Sequence, residues 1–263
     1  VSGMRTEPMN NPDPTFDPAR TAKSQRATGH PPQRMGFAGL SAVHPCQGIP
    51  AREPWCVIVA VMSAPTPMFP LQSAVLPGEA LPLRVFEPRY GALVEDCLAT
   101  EDPAFGVVLI ARGREVGGGD QRHDVGALAR IVEFAGHGAG RYKLKCLVQE
   151  RFRVTKWLPD DPYPRALLLD WPDEPSDVAA ADVRALEDDA WALLELIAGA
   201  RDIRLRPRDE IFGDLADEAG DRLYGLAARV PIGPADKYEV LAAPGPVQRL
   251  AALREAVETV TAM

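Results

Sequence analysis

The sequence predicts an α+β protein: a small β barrel with one inserted helix, followed by a C-terminal helical bundle. Three observations carry that expectation. The stretch from Phe69 to about Trp171 breaks into short apolar or alternating runs of strand length. A proline-led helical pattern interrupts those runs at Pro88, and beyond Asp173 the apolar period becomes helical throughout. The regions expected are therefore a leader over 1–64, a barrel over 65–173 and a helical bundle over 174–263.

The barrel is organised around Phe69–Tyr90, FPLQSAVLPGEALPLRVFEPRY. Pro77-Gly78 marks a turn between two apolar runs, because proline pre-sets φ and glycine accepts the positive φ that follows. The second run, Leu81–Phe86, ends at Glu87-Pro88, where proline can open a helix without losing a needed N–H. Tyr90, Leu93, Val94 and Cys97 then recur at helical spacing, giving a helix over Pro88–Ala99. Phe105–Ile110 is a near-continuous apolar strand, and Val125–Phe134 with Tyr142–Val148 form a pair around a Gly136–Gly140 turn. Arg151–Leu158 and Arg165–Trp171 bring the count to six or seven strands, enough to curl into a barrel.

In the second half Ser176 is placed as an N-cap, with Val183, Leu186, Ala190, Leu193, Leu194 and Ile197 on one helical face before Gly199. Leu215, Leu223, Leu226 and Ala227 mark a second helix ending near Pro231. A short helix over Asp236–Leu241 and a last one carrying Val247, Leu250, Leu253, Val257 and Val260 complete the bundle.

Composition narrows the function classes. With 46% hydrophobic and 25% charged residues the chain can bury a sizeable core. A net charge of −8 argues against a general binder of nucleic acid or anionic membrane, since phosphate recognition needs clustered Lys and Arg. No run reaches a membrane-spanning length; Trp55–Met62 is too short even for a signal core and stands far from the N-terminus. Cys46, Cys56, Cys97 and Cys146 lack metal-binding spacing, and a reducing cytoplasm is the simplest setting. His30 and His44 fall in the leader, His123 and His137 in expected loops, so neither a metal nor a cofactor is expected. The leader is poor in apolar residues and is expected to be disordered. Met62 is expected to begin the natural protein, with the preceding residues a gene-model artefact.

Several motifs stand in a fixed order: Phe69-Pro70-Leu71, Leu76-Pro77-Gly78, Leu81–Tyr90 (LPLRVFEPRY), Phe105-Gly106-Val107-Val108, the turn Asp124-Val125-Gly126 and Gln149–Val154 (QERFRV). In this they resemble the amino-terminal, substrate-binding domain family of Lon proteases, from roughly Pro67 to the C-terminus. Val148 and Ala127 depart from the family pattern, where glycine and threonine are usual. The resemblance implies a PUA-like β barrel, a helical bundle behind it, and a role in recognising protein substrates. The ATPase and peptidase modules of a full Lon protease are not expected here. No G-x-x-x-x-G-K-[ST] loop occurs, Ala22 standing where the only Lys-Ser pair would need glycine, and there is no G-x-S-x-G elbow.

Candidate site residues follow from residue type. Trp157, Tyr163 and Trp171 lie near strand ends in a proline-rich neighbourhood and can anchor a partner peptide at the junction of the two halves, or pack that junction. Arg112 and Arg114 belong to a glycine-rich run whose amides can form an anion-binding nest; it lacks the following helix of a phosphate loop and reads as a flexible loop between strands, with both arginines as candidate peptide-binding residues. Glu87, Arg89, Tyr90, Arg151 and Phe152 sit in the family-like motifs and read as structural, with Glu87 and Arg151 as a candidate tie between the first helix and the barrel. Asp188, Asp189, Asp209, Asp214, Asp217 and Glu218 read as solvated helix faces.

The function expected is a non-catalytic module that binds unfolded or peptide protein segments, with a protease or chaperone machine as further partner, in the cytoplasm. Nucleic acid and membrane are not expected partners. Two competing readings are an RNA or small-ligand binder on the PUA-like barrel and, ranked last, an ATP-independent peptidase.

Overall fold

The computed structural model describes residues 64–113 and 120–263. Arg114 and most of its glycine-rich loop, the leader, Cys46, Cys56, His30 and His44 lie outside the described residues. Strand β1 (Thr66–Leu71) leads through the Pro77-Gly78 turn to β2 (Ala80–Val85), where Leu81, Leu83 and Val85 turn inward at period two. Gly78 takes φ +85°, which the turn requires. Helix α1 (Pro88–Leu98) starts on Pro88 and buries Tyr90, Gly91, Leu93, Val94 and Cys97. Its Tyr90 stacks on Phe69 of β1 with centroids 4.2 Å apart, seating the helix on the sheet. Gly91 is needed for that fit, because a Cβ there would lie 2.5 Å from the carbonyl oxygen of Gly140.

Strand β3 (Ala104–Arg112) is buried on both faces: Val107 packs in the larger of two apolar clusters and Val108 in the smaller. It pairs in parallel with β1 and antiparallel with β4 (Gln121–Gly136). The Asp124-Val125-Gly126 segment, expected as a turn, is the interior of β4 instead. There Gly126 lies between two strands; a Cβ would stand 2.2 Å from the Val107 carbonyl oxygen and 2.7 Å from the Phe152 ring. His123, expected in a loop, also belongs to β4, its ring 4.0 Å from that of Tyr238.

The two strands expected over Tyr142–Val148 and Arg151–Leu158 are one, β5 (Tyr142–Leu158). Gln149 and Glu150 do not break it. Instead the strand changes partners, pairing first with β2 and then with β6 (Arg165–Asp170), while β4 follows it along the other edge. Bulges in the β4–β5 ladder, at Ala127/Ala129 and Ile131/Glu133, permit the bend. β6 in turn reaches β1 through only two register pairs, Thr66–Ala166 and Pro67–Arg165. The six strands thus curl into a barrel-like wall with a short β1–β6 seam, rather than an evenly closed barrel.

Six helices accompany the sheet among the described residues, five of them after it. Helix α2 (Ala180–Ala200) buries Val183, Leu186, Glu187, Ala190, Leu193 and Ala198, the expected face. Ser176 does not cap it: Ala179 holds that position, because the chain before it is drawn out along the helices, with the Glu174 N–H bonded to the Pro244 carbonyl. A five-residue helix, α3 (Arg208–Phe212), was not anticipated; it buries Phe212 edge-on to Trp191. Helices α4 (Ala219–Arg229), α5 (Pro234–Ala242) and α6 (Pro246–Thr261) cover the expected apolar runs except Leu215, which is buried ahead of α4 rather than within it. The larger cluster passes without a break from Phe69, Leu93 and Phe105 to Leu186, Leu223 and Leu253, so sheet and helices share one core.

Candidate binding groove

The groove begins with a buried charge cluster that joins sheet to helices. Arg151 of β5 is only 5% exposed, yet its guanidinium is fully engaged. It donates to the backbone carbonyls of Trp171 at 2.9 Å, Leu241 at 3.0 Å, Pro244 at 2.8 Å and also Ala243. These carbonyls mark the exit from β6 and the α5–α6 junction, where helix-end acceptors need donors. The Asp173 carboxylate completes the cluster, 2.7 Å from Arg151 and bonded in a fork to Arg249 at 2.9 and 2.5 Å. Arg249, 0% exposed, lies over the Tyr224 ring at 3.6 Å and donates to the Gly220 carbonyl. Burial pushes the Tyr224 hydroxyl up to about 12, and among the described residues it has no hydrogen-bond partner.

Over this cluster runs an open groove in two adjoining parts. The larger, of about 860 Å³, lies between the Pro77–Ala80 turn with Gln149 and Glu150 on one side, and Leu215 with Gly225, Ala228 and Arg229 on the other. The smaller, of about 430 Å³, is lined by Trp171, Pro172, Asp170, Asp173 and Tyr224. Pro77, Glu150 and Asp221 belong to both, which makes them its midpoint. Glu79 fixes one wall: its carboxylate accepts from the Leu76 N–H at 2.7 Å and from Lys237 of α5 at 2.6 Å. Asp221 opens α4 at the other wall, where burial and then Glu218 hold its carboxyl above the usual range. Glu218 is exposed, as expected, and also caps α4 by accepting from the Asp221 N–H. Asp214 likewise is paired, with Arg229 at 2.6 Å.

Of the predicted anchors, Trp171 alone lines this groove. Its ring carries the guanidinium groups of Arg151 and Arg153 at 4.3 and 4.1 Å. Tyr163 is buried in the larger core cluster and donates to Asp96 of α1, tying the approach to β6 onto that helix. Trp157 packs on the smaller cluster, donates to Asp124 at 3.0 Å and has Arg122 over its ring. The three aromatics therefore stand in separate environments. Arg112 is exposed at the end of β3, next to the undescribed loop.

The structural residues are mostly where the motifs put them, with one correction. Glu87 pairs with Arg89 at 3.1 Å, two positions along, and does not tie α1 to Arg151. Phe152 fills the smaller cluster and Tyr90 the larger. Asp173, Asp221, Tyr224 and Arg249 were missed. Arg249 and Asp173 lie 76 positions apart, and no local spacing announces such a pair. Among the described residues no cluster of three or more His, Cys, Asp or Glu is arranged to hold a metal, and no helix is long and apolar enough to cross a membrane. Burial pushes the thiols of Cys97 and Cys146 up to about 12, as befits small core residues.

Comparison with known proteins agrees with this fold. A Lon protease of Anaeromyxobacter dehalogenans (strain 2CP-C) is 31% identical over 136 residues, which is 51% of this chain and 16% of that protein. Lon protease 2 of Myxococcus xanthus is 34% identical over 102 residues, 38% of this chain and 12% of that protein. The chain thus spans a small part of the length of either protease. The crystal structure of a Lon N-terminal domain protein from Xanthomonas campestris superposes with a TM-score of 0.53 and 27% identity, covering 73% of this chain and 97% of that one. Residues 65–259 match the model of the ATP-dependent protease La (LON) substrate-binding domain, and the chain belongs to that family.

Proposed function

We propose that this chain is a non-catalytic recognition module that takes extended protein segments into the groove between the curled sheet and helix α4. The observation that carries this reading is the groove itself: about 860 Å³, open to solvent, with apolar surface from Pro77, Leu215 and Ala228 among polar groups. Membership of a substrate-binding family supports a protein as occupant. Trp171 is the aromatic edge available at one end. Delivery to a protease or chaperone machine in the cytoplasm follows the same reading, and the chain itself is expected to hydrolyse neither ATP nor peptide. The carboxylates of the groove disfavour phosphate-bearing occupants such as RNA.

A plug tests it. Ala228 is half-buried on α4 and faces the groove, so Ala228→Trp fills the space without entering the core. The variant should bind a fluorescent, permanently unfolded polypeptide about ten-fold or more weakly than wild type, with an unchanged melting temperature. Wild-type affinity in this variant would move the binding site elsewhere.

A further inference from the structure

We infer that the groove selects segments carrying an arginine or lysine beside apolar residues, a specificity that rests on the groove reading above. The charges along its walls do not cancel. Glu79 is paired with Lys237, Asp214 with Arg229, and Asp173 with Arg151 and Arg249. The lining cations, Arg151 and Arg229, are consumed by those pairs and by backbone carbonyls, and the neighbouring Arg153 lies against the Trp171 ring. Among the described residues Glu150, Asp170 and Asp221 make no salt bridge, and they occupy the midpoint and the Trp171 end of the groove. The Asp221 carboxyl is held above its usual range first by burial and then by Glu218, with Arg249 acting in the opposite sense.

A second observation points the same way. Tyr224 is 3% exposed, lines the smaller part of the groove, and its hydroxyl has no partner among the described residues. A hydroxyl can accept from a guanidinium or ammonium while the carboxylates carry its charge. The carboxylates come from β5, the end of β6 and the start of α4, and among the described residues no three are grouped to hold a metal ion. That arrangement suits a long cationic side chain on a polypeptide better than a point ion. Pro77, Pro172 and Trp171 supply apolar surface for the stem and for the neighbouring residues.

The test uses three unstructured peptides of one length, alike except that a central residue is Arg, Gln or Glu, measured by fluorescence anisotropy against the whole chain. The Arg peptide should bind about ten-fold tighter than the Gln peptide, the Glu peptide weakest, and the gap should narrow at high salt. In the triple variant Glu150→Gln, Asp170→Asn, Asp221→Asn the three affinities should converge on that of the Gln peptide. Equal affinities in wild type would overturn the selectivity and leave the groove reading standing, as would a preference that survives in the triple variant. Failure of all three peptides to bind would overturn both. Displacement of the Arg peptide by an equal concentration of spermidine would assign the site to free polyamines and overturn a protein segment as occupant.

Discussion

Asp173 shows how much one side chain can hold. Its carboxylate is shared by two guanidinium groups that are themselves almost wholly buried, and it offsets part of the charge of each. Removing an acid of this kind leaves uncompensated charge in the interior, a larger loss than the pair itself represents. Asp173→Ala is expected to destabilise the fold by about 3 kcal/mol, read from urea denaturation; a shift under about 1 kcal/mol would mean that solvent already carries the two charges. Asp120 offers a pH-dependent counterpart. Burial would raise its carboxyl, but the hydrogen bond and charge of Arg122, 2.6 Å away, hold it below the ordinary value. A depressed carboxyl stabilises the fold fully above its unfolded pKa of about 3.9, and that contribution is lost as the pH falls through the folded value. Asp120→Asn should therefore cost about 1 kcal/mol at pH 7, solvent screening included, and flatten the loss of stability below about pH 4. Parallel acid titrations of the two proteins, followed by circular dichroism, would show whether the curves converge.

At the scale of elements, the strands and long helices were legible because each carries its own period. The alternation in Leu81–Val85 and the apolar run in Phe105–Ile110 are local, and burial on one face or both follows from them. What local pattern could not show was the partner. β5 reads as two strands because it changes neighbours at Gln149-Glu150, and nothing in those two residues encodes a strand continuing past them. Ser176 reads as a cap, but the segment around it is committed to the α5–α6 junction. Of the three aromatics expected at the junction, Trp171 alone lines the groove, and the groove's carboxylates come from turn, strand and helix that meet only in three dimensions. Glycines within strands carry a similar non-local message. Gly126→Ala should cost about 3 kcal/mol, since neighbouring backbone stands within 2.2 Å of the new atom. Gly78→Ala meets nothing within 4 Å and should cost only about 1 kcal/mol, the strain of its positive φ. Equal melting temperatures for the two variants would contradict this packing of β4.

For the whole molecule, the shared core and the Arg151 cluster make sheet and helices interdependent. Thermal unfolding of residues 65–263 should be a single transition, with the helical signal and the fluorescence of sheet-borne Trp157 lost together. Two separated midpoints would show that the halves hold themselves independently. The walls of the groove come from opposite sides of this junction: the Pro77–Ala80 turn and β5 on one, Leu215 and α4 on the other. An occupant touching both walls binds only while they remain together, so it must stabilise the native chain in proportion to its saturation. At a free concentration one hundred times its dissociation constant the gain is about 2.7 kcal/mol. Heating the protein with a candidate segment is thus a measurement of affinity, and recognition by this molecule can be weighed without any label, through how long its two halves refuse to part.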